Sequence, residues 1–290
     1  MIARPQVEQM EAYGALGSVC AALGLAGESL VAVLTVYLDE SYNQHTAKDP
    51  NDPLMYTVGC WLSSVNDWNK FEKEWNAALR SAGIEWFHMS EFESRLGDYE
   101  DWGDLKRVGV LKRLHRVVKT NTMYGLANSV NCAEFDEIIN TPELKRQYGK
   151  TYYSFNVRMI MLTMAHFALL NNHPGPINYV FAELKGQGNE LDRIFRERLK
   201  DREAKNHFRL SSMWTKGLMR DVGPLQAADI VAYETNKRAV SIFSGKPTFM
   251  RRSLQNLVSG IYGAHIQAGY FGKAEISRMV AQVKARGLKL

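Results

Sequence analysis

The chain reads as an α/β protein, a mixed sheet flanked by helices with helical insertions, on three observations. Residues 31–39 (VAVLTVYLD) are rich in β-branched side chains and apolar on both faces, the pattern of a central strand covered on each side. A second apolar run, 177–183, ends like the first in an acidic residue. Long segments of helical period separate and follow these runs, notably 105–120, 148–170 and 224–240.

In chain order, strand 31–39 is followed by the polar loop 48–53 (KDPNDP) and a strand at 55–62. Asn66 or Asp67 caps a helix to about 82, with Trp68, Phe71, Trp75 and Leu79 on one face and Gly83 as its stop. A short strand is expected at 84–89, then an acidic, aromatic loop over 91–104 and a helix over 105–120. Residues 123–130 read as a strand, 133–139 as a short helix and 148–170 as a long buried helix. A strand at 177–183, a charged helix at 188–202, an edge strand at 208–214 and a helix at 224–240 with Pro224 in its first turn complete the core. One more helix is expected at 273–286. No linker composition divides the chain, so it is read as an N-terminal extension (1–30), one core with a helical insertion (31–243) and a helical tail packed on it (244–290).

Composition narrows the function. With 46% hydrophobic and 23% charged residues the chain belongs with folded globular proteins rather than disordered or fibrous ones. Cys20, Cys60 and Cys132 are odd in number and form no CxxC pattern, which argues against a disulfide framework or structural zinc and makes a reducing, cytoplasmic compartment the default. The apolar stretch 15–36 is broken by Gly17, Gly24, Gly27 and Glu28, too often for a membrane span, and only Arg4 precedes Glu8 and Glu11, a poor start for a secretion signal. Net charge is +5 but uneven: residues 1–176 hold 16 Lys and Arg against 21 Asp and Glu, residues 177–290 hold 20 against 10. A basic second part suits a phosphate-rich partner, since each cation near a phosphate releases counterions; Lys185, Arg193, Arg196 and the run 216–220 are the candidates for phosphate contact.

Three carboxylates stand where chemistry gathers. Asp39 and Glu183 terminate apolar strands, and ligands of α/β sheets collect at the carboxyl ends of parallel strands. Asp229 lies on one helical face with Leu225, Gln226, Ala232 and Tyr233, and the small Ala228 and Ala232 allow that helix to approach the sheet. A carboxylate so placed is costly to bury without a cation or a hydrogen-bonding partner. Asp39, Glu183 and Asp229 are therefore expected to bind divalent metal and to be catalytic. Glu40, His88, Glu91, Gln226 and Glu234 are expected around them or against substrate, Glu40 on the opposite side of its strand and Glu234 about 140° round its helix from Asp229.

Leu38, Asp39, Glu40 and Ser41 at the end of the first strand, the run Phe87 to Glu91 (FHMSE), the later strand ending in an acid, and 225–234 (LQAADIVAYE) together resemble the family catalogued as domain of unknown function 3800, across about 33–238. The last motif is the most specific. The resemblance implies an RNase H-like fold with the acidic layout of the RuvC resolvases, and hence cleavage of phosphodiester bonds with Mg²⁺ or Mn²⁺. Tyr42 stands where relatives often carry Gly, and Glu183 where many carry Asp. Two Mg²⁺ ions about 4 Å apart activate a water and stabilise the leaving oxygen, and hard cations take carboxylate oxygens. The expected function is thus a metal-dependent nuclease or phosphodiesterase acting on DNA or RNA, with a defence-system or mobile-element protein as a further partner. The alternative is a non-catalytic nucleic-acid-binding or protein-interaction module that keeps the fold. A nucleotide-hydrolysing enzyme of the actin-like type is disfavoured, because no Gly-rich phosphate loop follows Asp39.

Overall fold

Six strands, β1 (Leu34–Tyr42), β2 (Met55–Ser64), β3 (Tyr124–Asn131), β4 (Ile177–Ala182), β5 (Thr215–Gly217) and β6 (Ile266–Phe271), form one mixed sheet in the order β5-β4-β1-β2-β3-β6. Pairings β1–β2 and β2–β3 are antiparallel; β1–β4, β4–β5 and β3–β6 are parallel. The structure is a computed structural model that describes residues 33–45, 51–173, 175–183, 188–200, 209–211, 214–245, 250–258 and 266–285. The N-terminal extension read at 1–30 lies outside them.

Ten helices among the described residues flank the sheet: α1 (Val65–Ala82), α2 (Met89–Ser94), α3 (Asp104–Asn121), α4 (Cys132–Ile138), α5 (Pro142–Tyr148), α6 (Tyr152–Leu170), α7 (Gly188–Lys200), α8 (Gly223–Phe243), α9 (Arg252–Val258) and α10 (Lys273–Ala285). Alternation along β1 sorts the two faces. Leu34, Val36 and Leu38 join a core with α6, α7, Tyr179 and Phe181. Tyr37 packs on the other core, where Trp61 and Ala127 of the sheet meet Trp68, Phe71 and Trp75 of α1, Leu114 of α3 and Ala227, Ala228 and Val231 of α8. This two-sided burial explains why β1 is apolar on both faces.

The structure corrects several expectations. Ser64 rather than Asn66 or Asp67 caps α1, its side chain accepting from the Asp67 N–H, while Gly83 at φ +79° ends that helix as read. The helix expected over 148–170 begins at Tyr152, because Tyr148 closes α5, Gly149 sits at φ +119° and a Thr151–Ser154 capping box starts α6. No strand forms at 84–89: the N–H groups of Phe87, His88 and Met89 go in succession to the side chains of Gln226, Tyr99 and Asp229 instead of to a neighbouring strand. The loop 91–104 contains α2 and a 3₁₀ turn at Gly97–Tyr99. Of the edge strand expected at 208–214, Leu210 bridges Ile177 in parallel at the start of β4, and the edge strand proper follows at β5; 208, 212 and 213 lie outside the described residues. The tail is not helical alone, since β6 extends the sheet beside β3 before α10.

One contact sets how closely α8 lies on the sheet. A Cβ built on Gly59 of β2 would fall 2.6 Å from the backbone N and 2.8 Å from the Cα of Ala232. Helix backbone therefore rests directly on strand backbone, which only glycine permits there. Gly59→Ala is expected to cost about 1–3 kcal/mol through forced displacement of α8. Gly109→Ala in α3, where the added methyl meets open space, is expected to gain roughly 0.5–1 kcal/mol from helix propensity. Urea midpoints of the two variants beside the parent check both signs.

Candidate functional site

Gly59 is the cross-strand partner of Asp39, so the Ala232 contact lands α8 beside that acid, and Asp229 is one helical turn before Ala232. Neighbouring residues of α8 lock this placement. Trp61 Nε1 donates to Ala227 O at 2.9 Å, and Asn236 Nδ2 donates to Met55 O at 3.0 Å and Thr57 Oγ1 at 3.1 Å. Gln226 is buried and fully engaged. Its Oε1 accepts from Trp75 Nε1 at 2.9 Å and Phe87 N at 3.0 Å, and its Nε2 donates to Met219 O at 3.0 Å and Arg220 O at 3.3 Å. The motif at 225–229 is thus a set of clamps that ends on an acid.

Asp39 and Asp229 are both buried and act on each other. Burial, and then the charge of Asp39, push the Asp229 carboxyl up to about 7, with Glu91 adding to the rise. His88 and a 2.6 Å hydrogen bond from Met89 N to Asp229 Oδ2 pull the other way without reversing it. Asp39 is raised well above the usual carboxylate range by burial and by the charge of Glu40. Alternation with Leu34, Val36 and Leu38 directs Glu40 to the α6 side of its strand, where its charge acts on Tyr153; burial raises Glu40 itself to about 7, with the charge of Asp229 adding to the rise. The pairing of β4 with β1 stops at Phe181–Leu38, so β1 has an open flank from Asp39 onward.

Glu183 is not brought to this group. It is exposed, one residue beyond β4, with its N–H donated to Gly217 O at 3.0 Å. Phe181 belongs to the α6 core, so alternation directs Glu183 to the α6 side, opposite to Asp39. Of the three expected acids, Asp39 and Asp229 are brought together and the exposed Glu183 is not. Among the described residues no group of three or more His, Cys, Asp and Glu side chains is placed so as to hold an ion as it stands.

The remaining expected residues divide. His88 is half-buried beside the acids, its Nδ1 3.5 Å from Glu91 Oε1, its Nε2 3.2 Å from Ser90 Oγ and its ring stacked on Trp86 at 5.6 Å. Glu234 is fully buried but looks away from Asp229, toward Arg251 Nε at 3.2 Å, and Arg251 also meets Glu93 of α2. Many basic residues of the second part are paired: Arg193 with Glu190 and Glu197, Arg196 with Asp192, Arg220 with Glu85, Lys273 with Glu137. Arg193 and Arg196 thus serve α7 itself, and Lys185 lies outside the described residues. No helix among the described residues is long and apolar enough to cross a membrane. No family model, curated protein or solved structure matches the chain.

The raised carboxyl of Asp229 has a consequence for stability. A folded value of about 7 against an ordinary 3.8 means that the native state binds more protons between those values. The contribution of Asp229 to stability is therefore greatest below about pH 4 and is lost as pH rises through 7. Asn at 229 keeps an oxygen for the Met89 N–H and removes the charge. Asp229→Asn is expected to raise metal-free stability by no more than about 1 kcal/mol at pH 4.5 and by roughly 2–4 kcal/mol at pH 8. Denaturant melts of parent and variant across that range check the rise; a loss of stability at pH 8 would make Asp229 a cap of α2 and nothing more.

Proposed function

We propose that the chain is a divalent-metal-dependent nuclease or phosphodiesterase acting on DNA or RNA, in an RNase H-like fold. The observation that carries this reading is the pair of buried carboxyls on β1 and α8 that repel each other. Strong perturbation of several acids at one place is a mark of sites built for a bound cation or for proton transfer. The donor set fits Mg²⁺ or Mn²⁺ in kind, being all oxygen and without thiolate. Asp39 and Asp229 are the residues that would hold the ion, with the charge of Glu40 nearby adding to the attraction. When bound, such ions activate water and stabilise the leaving oxygen of a phosphodiester. Support for the fold comes from the acid at the open flank of a central first strand and the acid of a late helix packed across it, the layout that the resemblance implies.

The bond from Met89 N to Asp229, with no ready-made metal group among the described residues, favours a second reading, that of a non-catalytic nucleic-acid-binding or protein-interaction module. The two part company on Asp39→Asn and Asp229→Asn. The enzyme reading has both variants lose strand cleavage in Mg²⁺ and in Mn²⁺ and lose the Mn²⁺-induced rise in Tm, while metal-free Tm holds or increases. Equal cleavage by parent and both variants, assayed on single- and double-stranded DNA and RNA, would defeat it.

A further inference from the structure

The segment before α2 and the loop before α8 together present a shelf next to Asp229. Trp86, half-buried, stacks on His88 with ring centroids 5.6 Å apart and planes 15° from parallel. The guanidinium of Arg220 lies 5.9 Å from the Trp86 ring centroid, and its exposed pairing with Glu85 at 3.5 Å is of the weak, solvent-screened kind that a phosphate can replace. Neither segment is held by strand pairing. Gln226 holds both, accepting from Phe87 N and donating to Arg220 O, and Met89 N continues the same segment onto Asp229. Three of the four hydrogen bonds of this buried side chain go to these two surface segments, which fixes what they jointly present.

We infer that Trp86, His88 and Arg220 form a nucleotide subsite, in which an unpaired base stacks on the Trp86–His88 pair and Arg220 takes its phosphate, with Gln226 as the positioning residue. A flat aromatic shelf grips the face of a base, which a paired and stacked duplex does not offer, so the ligand is a single strand or an unpaired segment. Arg suits the phosphate because its planar donor fork matches phosphate oxygens. The naming of the ligand as nucleic acid rests on the phosphodiesterase reading; the geometry of the shelf does not.

The test uses the full chain carrying Asp39→Asn, so that binding is read without turnover. Fluorescence anisotropy in Mg²⁺ at low salt compares labelled single-stranded oligonucleotides, the same strands with one abasic position moved along the sequence, and a duplex. Trp86→Ala is expected to weaken the intact single strand about tenfold, and to abolish the preference for intact over abasic strand at one register. Trp86→Phe keeps that preference and guards against loss through misfolding. Arg220→Gln is expected to lower the slope of log affinity against log salt by about 0.7. Intact preference unchanged in Trp86→Ala, duplex weakened as much as single strand, or no nucleic acid bound by the parent, each overturns the subsite. The outcomes are separable: if Asp39→Asn and Asp229→Asn cleave as the parent does while Trp86 governs the abasic preference, the enzyme reading falls and the subsite stands.

Discussion

The contact of Ala232 backbone with Gly59 is the constraint on which the rest depends. It puts α8 at backbone distance from β2, beside the cross-strand partner of Asp39. From there the helical repeat decides what else faces the sheet: Asp229 a turn before, Asn236 a turn after, Gln226 two turns from Ala232 toward the N-terminus. Trp61, Trp75 and the segment 87–89 then attach to α8 through hydrogen bonds to its side chains and backbone. A helix seated one side chain higher would separate Asp229 from Asp39 and leave the 84–89 segment without partners.

That seating has an electrostatic cost. Two buried acids, with the charge of Glu40 acting on one of them, hold carboxyls above their ordinary range, which destabilises the metal-free fold wherever they are ionised. The large apolar cores on both sides of the sheet, with four indoles buried on the α8 face, offset it. Proteins tolerate such conflict where the conflicting groups do chemistry, and local disagreement between burial and charge is where sequence rules are expected to break. The Glu93–Arg251–Glu234 group on the same helix meets the conflict with a cation: Arg251 lies beside both carboxylates and pulls Glu234 down, although burial still leaves it raised, and α2 and α9 are tied to α8.

Much of the frame was legible in the sequence because one-dimensional period carries it. The two-sided apolar run of β1, the aromatic stripe of α1 and the Ala-rich face of α8 announce both element and buried face. Asp39 and Asp229 were legible for the same reason, as charges in apolar patterns. What failed depended on partners distant in the chain. Glu183 looked equivalent to Asp39 because both close a strand, yet register and alternation with β1 send it to the other side. Segment 84–89 has strand-like composition, but its N–H groups are claimed by side chains about 140 residues away or by Tyr99, and nothing local signals that. β6 carries Gly269 and a half-exposed pattern, too weak beside the helical tail to register.

The central claim is that Asp39 and Asp229 form one electrostatic unit suited to a divalent cation. It is tested most directly by following the aspartate side-chain carboxyl resonances by ¹³C NMR through pH, in parent, Asp39→Asn and Asp229→Asn, with and without Mg²⁺. The account predicts that Asp229 titrates near 7 in the metal-free protein, falls when Asp39 is made Asn, and falls further below the usual carboxylate range when Mg²⁺ is added to the parent. An Asp229 that titrates at its ordinary value, or one indifferent both to Asp39→Asn and to Mg²⁺, would contradict it.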